Sequence, residues 1–421
     1  MTSTAELTGE FVKRMREKYG FPVYVIDEAS FTENYRNLES AFRKVYPRYR
    51  IAYSYKTNYT PYICGKVHEL GGMAEVVSDF EYDLAKRLGY AGRDIVYNGP
   101  WKQEGWKELL EDKGILNIDN PQEAERIIAY AQNHPEKDYQ AGIRVNMDIG
   151  QGFISRFGMD PNTEAFGRLI RDIRDTNNLK LAGIHCHISQ ARGIRYWKAR
   201  TDTMLSLADR LFGGGAPDYI DLGSGMYGDM ESELREQFGD DVPSYEDYAA
   251  TVAGTVAEHY RHLEDEKKPW LYTEPGATLV SRYMWLIATI VSYKEVQGRK
   301  IAGLDCSFYN AGETVRYKKL PFKVFSSSTD YAGGDFVGYT CLEDDLLLND
   351  YAGSFAIGDP VVFGNAGGYS VVFKPPFILP DIPMVVLQQD GETRLVKRAQ
   401  TFGEMLCCYE MPEIQDAGTK E

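Results

Sequence analysis

The chain has 421 residues, too many for one simple core, and its 43% of hydrophobic and 26% of charged residues are ordinary for a globular protein. A formal net charge of −15 argues against nucleic acid and anionic membrane surfaces as partners. The six cysteines form no C-x-x-C pair, the N-terminus lacks a secretory signal and no apolar run is long enough to cross a bilayer, so we expect a cytoplasmic protein.

The pattern along the first part of the chain predicts an α/β fold. A helix at 8–20, an apolar strand at 22–27 and an amphipathic helix at about 28–45 come first. Eight strand candidates then follow, at 51–56, 73–77, 94–97, 115–118, 141–145, 181–188, 218–222 and 270–274. Helical patterns separate them, at 79–88, 103–112, 121–133, 162–175, 196–212 and 245–262. Such alternation predicts a parallel sheet, and eight strands close naturally into a TIM-like (β/α) barrel. A doubly wound open sheet is the alternative, but no G-x-G-x-x-G follows an early strand.

Beyond residue 274 the chain changes in character. Short β-branched or aromatic segments, separated by Gly, Pro and Asp, predict an antiparallel β domain. These segments lie at 280–296, 301–309, 321–326, 335–340, 361–364, 369–374 and 383–388. We therefore expect a barrel domain at 28–280 and a β-rich second domain formed by 1–27 and 281–421. Since no low-complexity linker separates them, the two domains should pack closely.

The segment 51–58 carries the first candidate catalytic residue. Its alternation puts Lys56 at the carboxyl end of a strand, on the face that otherwise carries only Ala52 and Ser54. Thr60 and Pro61 then predict the start of a helix. A lysine at the mouth of a narrow interior suits bond formation with an aldehyde, because desolvation lowers its pKa and frees the amine. The alternative is a strand-end lysine that extends into water.

Other strand ends would meet Lys56 at the same mouth of the barrel. The sixth strand carries His185 and His187 on one face, the seventh is followed by the glycine-rich turn 223–225, and the eighth ends in Glu274. Turns after strands seven and eight of a barrel commonly bind phosphate. The set matches the needs of pyridoxal phosphate: Lys56 for the aldehyde, 223–225 for the phosphate, Glu274 for the pyridine nitrogen and His187 for the ring face.

From about residue 21 to 377 the chain resembles the alanine-racemase-fold (fold type III) pyridoxal-phosphate decarboxylases, the family of diaminopimelate and ornithine decarboxylases. The similar motifs are 53–58, 75–78 with Glu81, 143–145 with 155–158, 185–190, 220–225, 274–277, 338–345 and 364–369. Three of them depart from the family pattern. The segment 185–190 is one glycine short, Ser224 replaces a glycine, and Ala277 replaces the arginine of E-P-G-R.

The resemblance implies a pyridoxal-phosphate-dependent decarboxylase that removes the α-carboxylate of an amino acid or conjugated amino acid and releases CO₂ and an amine. It implies that Lys56 and Cys341 are catalytic. Cys341 would act as an acid in the partner subunit's site, so the enzyme would be a homodimer with shared active sites. It implies no metal. The implied cofactor-binding residues are Lys56, Glu75, Arg144, His187, Ser189, Gly225, Glu274, Gly276 and Tyr369, and the implied substrate contacts are Arg316, Glu343 and Asp345.

Several alternatives stay open at this point. An amino-acid racemase shares the barrel and the lysine but uses a tyrosine as second base, and the cysteine motif argues against it. A metal-binding protein would use His185, His187 and a cysteine, but the rest of a zinc signature is missing. A catalytically inactive regulatory relative would not need Lys56 and Cys341. Taken alone, Cys341 suits a small buried hydrophobic position, and Arg316 suits a surface ion pair.

The departures from the family pattern bear on the substrate. Family members that act on diaminopimelate use the arginine that is Ala277 here, and those that act on basic diamino acids place an acidic residue where Leu342 follows Cys341. Both anchors for a small, doubly charged substrate are therefore absent. We expect a substrate that is larger or less charged at its far end, unless Glu343 or Asp345 binds a distal amine.

Overall fold

The structure is a computed structural model and describes residues 7–213, 215–239 and 242–412. Eight parallel strands close into a barrel, in which the first barrel strand pairs with the last. In chain order they are β2 (Tyr49–Ser54), β3 (Met73–Val76), β4 (Ile95–Tyr97), β5 (Ile115–Ile118), β6 (Tyr139–Arg144), β7 (Leu179–His185), β8 (Tyr219–Asp221) and β9 (Trp270–Thr273). The predicted barrel is confirmed, and the open sheet is not found.

Helices precede, separate and follow the barrel strands, and most lie close to the predicted positions. They are α2 (Glu28–Val45), α3 (Pro61–Glu69), α4 (Asp79–Arg87), α5 (Gly105–Glu111), α6 (Pro121–Asn133), α7 (Glu164–Asp175), α8 (Ile194–Phe212), α9 (Ser232–Glu236), α10 (Tyr245–His259) and α11 (Ala277–Val280). Helices α9 and α11 were not predicted. Pro61 opens α3 as predicted, but the Thr60 side chain donates to Asn58 instead of capping the helix. Among the described helices, none has the length and apolar character that a bilayer crossing needs.

The two faces of β2 behave as its alternation predicts. Ala52 packs inside the barrel against other interior side chains, including Met73 and Tyr219. Ile51 and Tyr53 face outward and belong to the large core between the barrel and its helices. The regular strand ends at Ser54, however, two residues earlier than predicted, because residues 55–57 turn into a short 3₁₀ helix.

The second domain is a sheet of mixed direction. Its strands are β1 (Val23–Asp27), β10 (Met284–Val296), β11 (Arg299–Leu304), β12 (Phe322–Val324), β13 (Tyr331–Val337), β14 (Leu346–Phe355), β15 (Pro360–Phe363), β16 (Met384–Leu387) and β17 (Thr393–Lys397). Most pairs are antiparallel, but β1–β16 and β11–β13 are parallel. The helices α1 (Gly9–Tyr19), α12 (Phe308–Ala311) and α13 (Phe402–Leu406) complete this part of the chain.

Two details of this sheet differ from the sequence prediction. The predicted strand at 369–374 forms turns, whereas 346–355, where Asn349 and Gly353 interrupt the apolar pattern, forms the ten-residue strand β14. Register shifts between β13 and β14 accommodate those interruptions, and pairing with β13 outweighs the local turn signal.

The segment before residue 370 connects the two domains. The backbone N–H of Tyr369 donates to the Thr57 carbonyl at 2.9 Å, and the Asn58 side-chain amide donates to the Gly367 carbonyl at 2.9 Å. The β domain therefore holds the turn that carries Lys56.

Candidate active site

A cavity of about 550 Å³ opens at the carboxyl ends of the barrel strands. All of the predicted cofactor-binding residues line it except Gly225 and Gly276, which lie in the adjoining turns. Its lining comprises Lys56, Glu75, Val77, Asn98, Gly99, Pro100, Arg144, Phe153, Ile154, Ser155, Arg156, Phe157, His185, His187, Ile188, Ser189, Glu274 and Tyr369. The structure thus brings together residues from six of the eight barrel strands and their loops.

The amine of Lys56 does not extend into water. Its Nζ donates to Ser54 Oγ at 2.7 Å and forms a short ion pair with the buried carboxylate of Glu75. Desolvation lowers the pKa of Lys56, but the charges of Glu75 and Glu274 outweigh it and raise that pKa above its ordinary value. The prediction of a lowered pKa for Lys56 is therefore wrong for the chain without a cofactor, because the carboxylates of Glu75 and Glu274 keep its ammonium group charged.

Asn98 joins the two carboxylates of the site and was not predicted. It follows β4 directly, and its side-chain amide donates to Glu75 Oε1 at 3.2 Å and to Glu274 Oε1 over a shorter distance. Its own oxygen accepts a hydrogen bond from Asn117 at 2.9 Å, which fixes the orientation of the amide. A polar residue directly after a barrel strand was the available signal.

Glu274 is buried beside His185 and Asp221. Its Oε1 lies 3.2 Å from His185 Nε2, and one ligand atom of each of the three residues lies within 4.8 Å of the others. Burial alone would raise the pKa of Glu274, but His185 and the charge of Lys56 lower it, so the carboxylate is ionised. Burial and the charge of Glu274 raise the pKa of Asp221 well above its usual range, which keeps that carboxyl neutral.

This cluster differs from the metal site considered from the sequence. That hypothesis grouped His185 with His187 and a cysteine, whereas the structure groups His185 with two acidic residues. Cys186 is buried in the core outside the cavity lining.

His187 is held by the turn after β8. Its Nδ1 accepts a hydrogen bond from the Ser224 backbone N–H at 3.1 Å, which leaves the proton of the neutral ring on Nε2. Burial and, next, the charge of Lys56 lower the pKa of His187 well below its ordinary value, so the ring is uncharged. An uncharged imidazole fixed at the cavity wall suits the predicted contact with a planar ring.

The predicted phosphate-binding glycines have no room for a side chain. A Cβ on Gly225 would lie 2.8 Å from the Ile188 carbonyl oxygen, and the φ of +99° already favours glycine. A Cβ on Gly276 would lie 2.0 Å from Thr57 Oγ1. Neither backbone N–H has an acceptor among the residues that the structure describes, so both can donate to an anion.

Arg144 completes the charged lining at the end of β6. Its Nη1 lies 3.4 Å from Asp119 Oδ1, and its Cζ lies 4.6 Å from the centre of the Phe157 ring. Arg156 also lies over that ring, with its Cζ 4.0 Å from the centre. Two arginines therefore contact the Phe157 ring at the rim of the cavity.

A second cavity of about 370 Å³ adjoins the first and shares Ser189 and Tyr369 with it. Ala277, the residue that replaces the family's arginine, lines this second cavity. The φ of Tyr369 is +58°, a conformation uncommon for a residue with a side chain. Tyr369 therefore belongs to the wall that the two cavities share.

The four other predicted residues lie outside this lining. Cys341 and Glu343 are exposed in the loop after β13. The Asp345 carboxylate is buried and accepts hydrogen bonds from Thr340 and from the Phe308 backbone, so it stabilises its own loop. Arg316 stacks on Phe308, with its Cζ 4.4 Å from the ring centre. The structure brings none of the four to Lys56 within one chain.

The cavity's donor set fits pyridoxal phosphate. It offers a lysine, an ionised buried carboxylate, a neutral imidazole and free backbone N–H groups in turns that no side chain could enter. These are the groups that an aldehyde, a protonated pyridine nitrogen, an aromatic ring face and a phosphate require.

Comparison with known proteins gives the same result. Diaminopimelate decarboxylase of Methanothermobacter thermautotrophicus is 25% identical over 422 residues, with 94% of each chain covered. That of Aquifex aeolicus is 26% identical, covering 94% of this chain and 93% of its own. The crystal structure of the Methanocaldococcus jannaschii enzyme superposes with a TM-score of 0.83 at 21% identity, over 95% of this chain and 94% of that one. Residues 31–281 match the family described as "Pyridoxal-dependent decarboxylase, pyridoxal binding domain", so the chain belongs to the pyridoxal-dependent decarboxylases.

Proposed function

We propose that this decarboxylase acts on the α-carboxylate of an amino acid whose far end carries no free ammonium group, at a site that two subunits share. The observation that carries the proposal is the arrangement of Lys56 and Glu274 around one cavity whose rim is apolar and cationic. The racemase alternative and the metal-binding alternative are not carried further, since the chain belongs to a decarboxylase family.

The residues that would hold the cofactor are those of the cavity and its turns. Lys56 would bond to its aldehyde, and Glu274 would keep a proton on its ring nitrogen. Gly225, Gly276, Ser189 and Tyr369 would donate to its phosphate, His187 would cover its ring, and Glu75 and Arg144 would complete the wall. When bound, pyridoxal phosphate supplies the electron sink that accepts the electron pair left behind by CO₂.

The chain's own groups then handle the protons. Glu75 and Ser54 hold the Lys56 amine at the mouth of the barrel, and Asn98 keeps Glu75 and Glu274 at a fixed separation. The ammonium of Lys56 has to lose its proton before it can act as a nucleophile, and Glu75 is the acceptor in contact with it. After CO₂ leaves, we assign the return of a proton to the substrate carbon to Cys341 Sγ.

This role for Cys341 requires a second chain. Cys341 and Glu343 are exposed in the β domain, and neither lines the cavity of its own chain. A homodimer that places this loop over the partner's barrel would complete two sites by the same contact, as two-fold symmetry demands. Trp101 and Ile154, exposed by 71% and 95% close to the cavity mouth, are apolar side chains that such a contact would cover.

The charges at the cavity rim limit the substrate. Arg156 is exposed at the rim and Arg144 lies below it, whereas the carboxylates of Glu75 and Glu274 are already engaged deep in the site. A distal ammonium would therefore meet like charge, at a cost of about 1 kcal/mol or more at close range. Phe153 and Ile154 add apolar surface, so an acylated or otherwise conjugated side chain fits better.

All six cysteines carry free thiols. Free thiols are typical of reducing compartments. We therefore keep the cytoplasm as the proposed location.

Steady-state assays with free diaminopimelate, ornithine, lysine and arginine test this proposal. We expect each to be a poor substrate, while a screen of conjugated and carrier-bound amino acids should identify one that releases CO₂ rapidly. A kcat/KM of about 10⁴ M⁻¹s⁻¹ or above for any of the four would contradict the proposed substrate class. Loss of optical rotation without CO₂ release would contradict the reaction itself.

A further inference from the structure

Arg200 lies on α8 beneath the turn that follows β8, and its side chain is fully buried. Its Nη1 donates to the carbonyl oxygens of Leu222 at 3.0 Å and Ser224 at 2.9 Å, and its Nη2 donates to that of Ile188 at 2.7 Å. Its guanidinium also lies over Trp197, with Cζ 4.2 Å from the ring centre. One buried side chain thus ties the turn after β8 to the segment after β7.

No carboxylate of the described residues contacts the guanidinium of Arg200. Within the part of the chain that the structure describes, Arg200 forms no ion pair, and its Nε has no hydrogen-bond acceptor. Burial of a cation without a counter-charge is costly, and burial accordingly lowers the pKa of Arg200. A bound anion close to the turn would supply the missing negative charge.

The hydrogen bonds of Arg200 also fix where two backbone N–H groups point. In a trans peptide unit the C=O and the N–H point in opposite directions. Because the carbonyls of Ser224 and Ile188 point at Arg200, the N–H groups of Gly225 and Ser189 point away from it. Neither N–H has an acceptor among the described residues.

We propose that Arg200 is a positioning residue for the cofactor phosphate. It directs the N–H groups of Gly225 and Ser189 toward the phosphate, and it supplies a positive charge from beneath the turn. The planar guanidinium suits this role because its nitrogens reach carbonyls of two separate segments at once. The inference rests on the phosphate position at Gly225 that is proposed above.

The affinity of the apo chain for pyridoxal phosphate, compared with that for pyridoxal, tests this role without measuring turnover. Both ligands carry the aldehyde and the ring, but only the first carries the phosphate. For Arg200→Met we expect the dissociation constant of pyridoxal phosphate to rise by about tenfold to a hundredfold, the scale of a lost charged hydrogen bond, with that of pyridoxal nearly unchanged.

Two further variants test whether the effect depends on the charge and the reach of Arg200. Arg200→Lys keeps the charge but cannot span both segments, so its dissociation constant for pyridoxal phosphate should lie between those of the wild type and Arg200→Met. Arg210→Met is the matched control, because Arg210 lies on the same helix and donates to the Pro161 carbonyl at 2.8 Å from an exposed position. It should leave both affinities unchanged. If Arg200→Met does not fold, Arg200→Lys decides the question.

A ³¹P resonance provides a second readout. In the wild type the bound phosphate should stay dianionic over a wide pH range, whereas in Arg200→Lys its resonance should begin to titrate at a higher pH. An equal loss of affinity for both ligands, or no loss for either, would overturn the role of Arg200.

Gly225→Ala separates this inference from the site on which it rests. A Cβ there meets carbonyl oxygens at 2.8 and 2.9 Å, so it should weaken pyridoxal phosphate more than pyridoxal. If Gly225→Ala has no such effect, the phosphate position itself is wrong. If Gly225→Ala has the effect and both Arg200 variants do not, only the role of Arg200 is wrong.

Discussion

The backbone N–H of Tyr369 donates a hydrogen bond to the Thr57 carbonyl at 2.9 Å, and so the β domain holds the residue next to Lys56. The contact places the Tyr369 side chain at the wall shared by the two cavities. It gives a physical reason for a residue with a side chain to adopt a φ of +58°, because the backbone N–H must face the turn.

Tyr369→Phe keeps this backbone contact and removes only the hydroxyl. We expect the affinity for pyridoxal phosphate to fall about twofold to tenfold, the usual value of one neutral hydrogen bond, as measured from the cofactor's visible absorbance. Tyr351→Phe in the β domain is the control and should bind the cofactor like the wild type. An unchanged affinity in Tyr369→Phe would show that the Tyr369 hydroxyl does not bind the phosphate.

Lys56→Ala should abolish both turnover and covalent attachment of the cofactor. The reason is that no other lysine lines the cavity among the described residues. Mass spectrometry after borohydride reduction measures the attachment, and Lys44→Ala, an exposed lysine on α2, is the control. If borohydride still attaches the cofactor covalently to the Lys56→Ala chain, Lys56 is not the residue that bonds to it.

The shared site predicts complementation. Lys56→Ala and Cys341→Ala chains should each be inactive, but hybrid dimers would contain one site with both residues intact. Random exchange should then restore about a quarter of the wild-type activity, because half of the dimers are hybrids with one working site each. No recovery under conditions in which labelled subunits demonstrably exchange would contradict a shared site.

Glu81 should make the stability of the folded chain depend on pH. It is buried, and burial raises its pKa from 4.5 to about 7, against the hydrogen bond from the Val77 N–H. Between pH 4.5 and about 7 the folded chain binds more protons here than the unfolded chain, so the free energy of unfolding falls as the pH rises through this window.

The Glu81→Gln variant should not show this fall in the free energy of unfolding, which is about 3 kcal/mol. Urea unfolding at pH 5 and pH 8 measures it. The variant should gain stability relative to the wild type at the higher pH, whereas Glu125→Gln, exposed on α6, should not. If the free energies of unfolding of Glu81→Gln and the wild type differ by the same amount at both pH values, burial does not raise the pKa of Glu81.

Much of the site was predictable because a barrel places every strand end at one mouth. Lys56, His187 and Glu274 needed only the strand order, which the alternation of strands and helices provides. The pKa of Lys56 was predicted in the wrong direction, since it depends on the Glu75 carboxylate, and a pattern within one segment does not give the distance between side chains of two strands.

Arg200 could not be recognised from the sequence, and the only signal for Asn98 was its position directly after a barrel strand. An asparagine after a strand and an arginine within a helix are common, and only the folded chain shows that one joins two carboxylates and the other contacts two turns. The proposed contact of Cys341 with a second chain involves two subunits, so the pattern of one sequence does not give its geometry.

A matched pair of substrates tests whether the enzyme prefers an uncharged far end. L-lysine and Nε-acetyl-L-lysine differ only in the charge and size of the far end, and L-ornithine and its Nδ-acetyl form repeat the comparison. We expect CO₂ release with a higher kcat/KM for the acetylated member of each pair, by about tenfold or more if one buried charge decides the difference. A higher kcat/KM for the free diamino acids would contradict it.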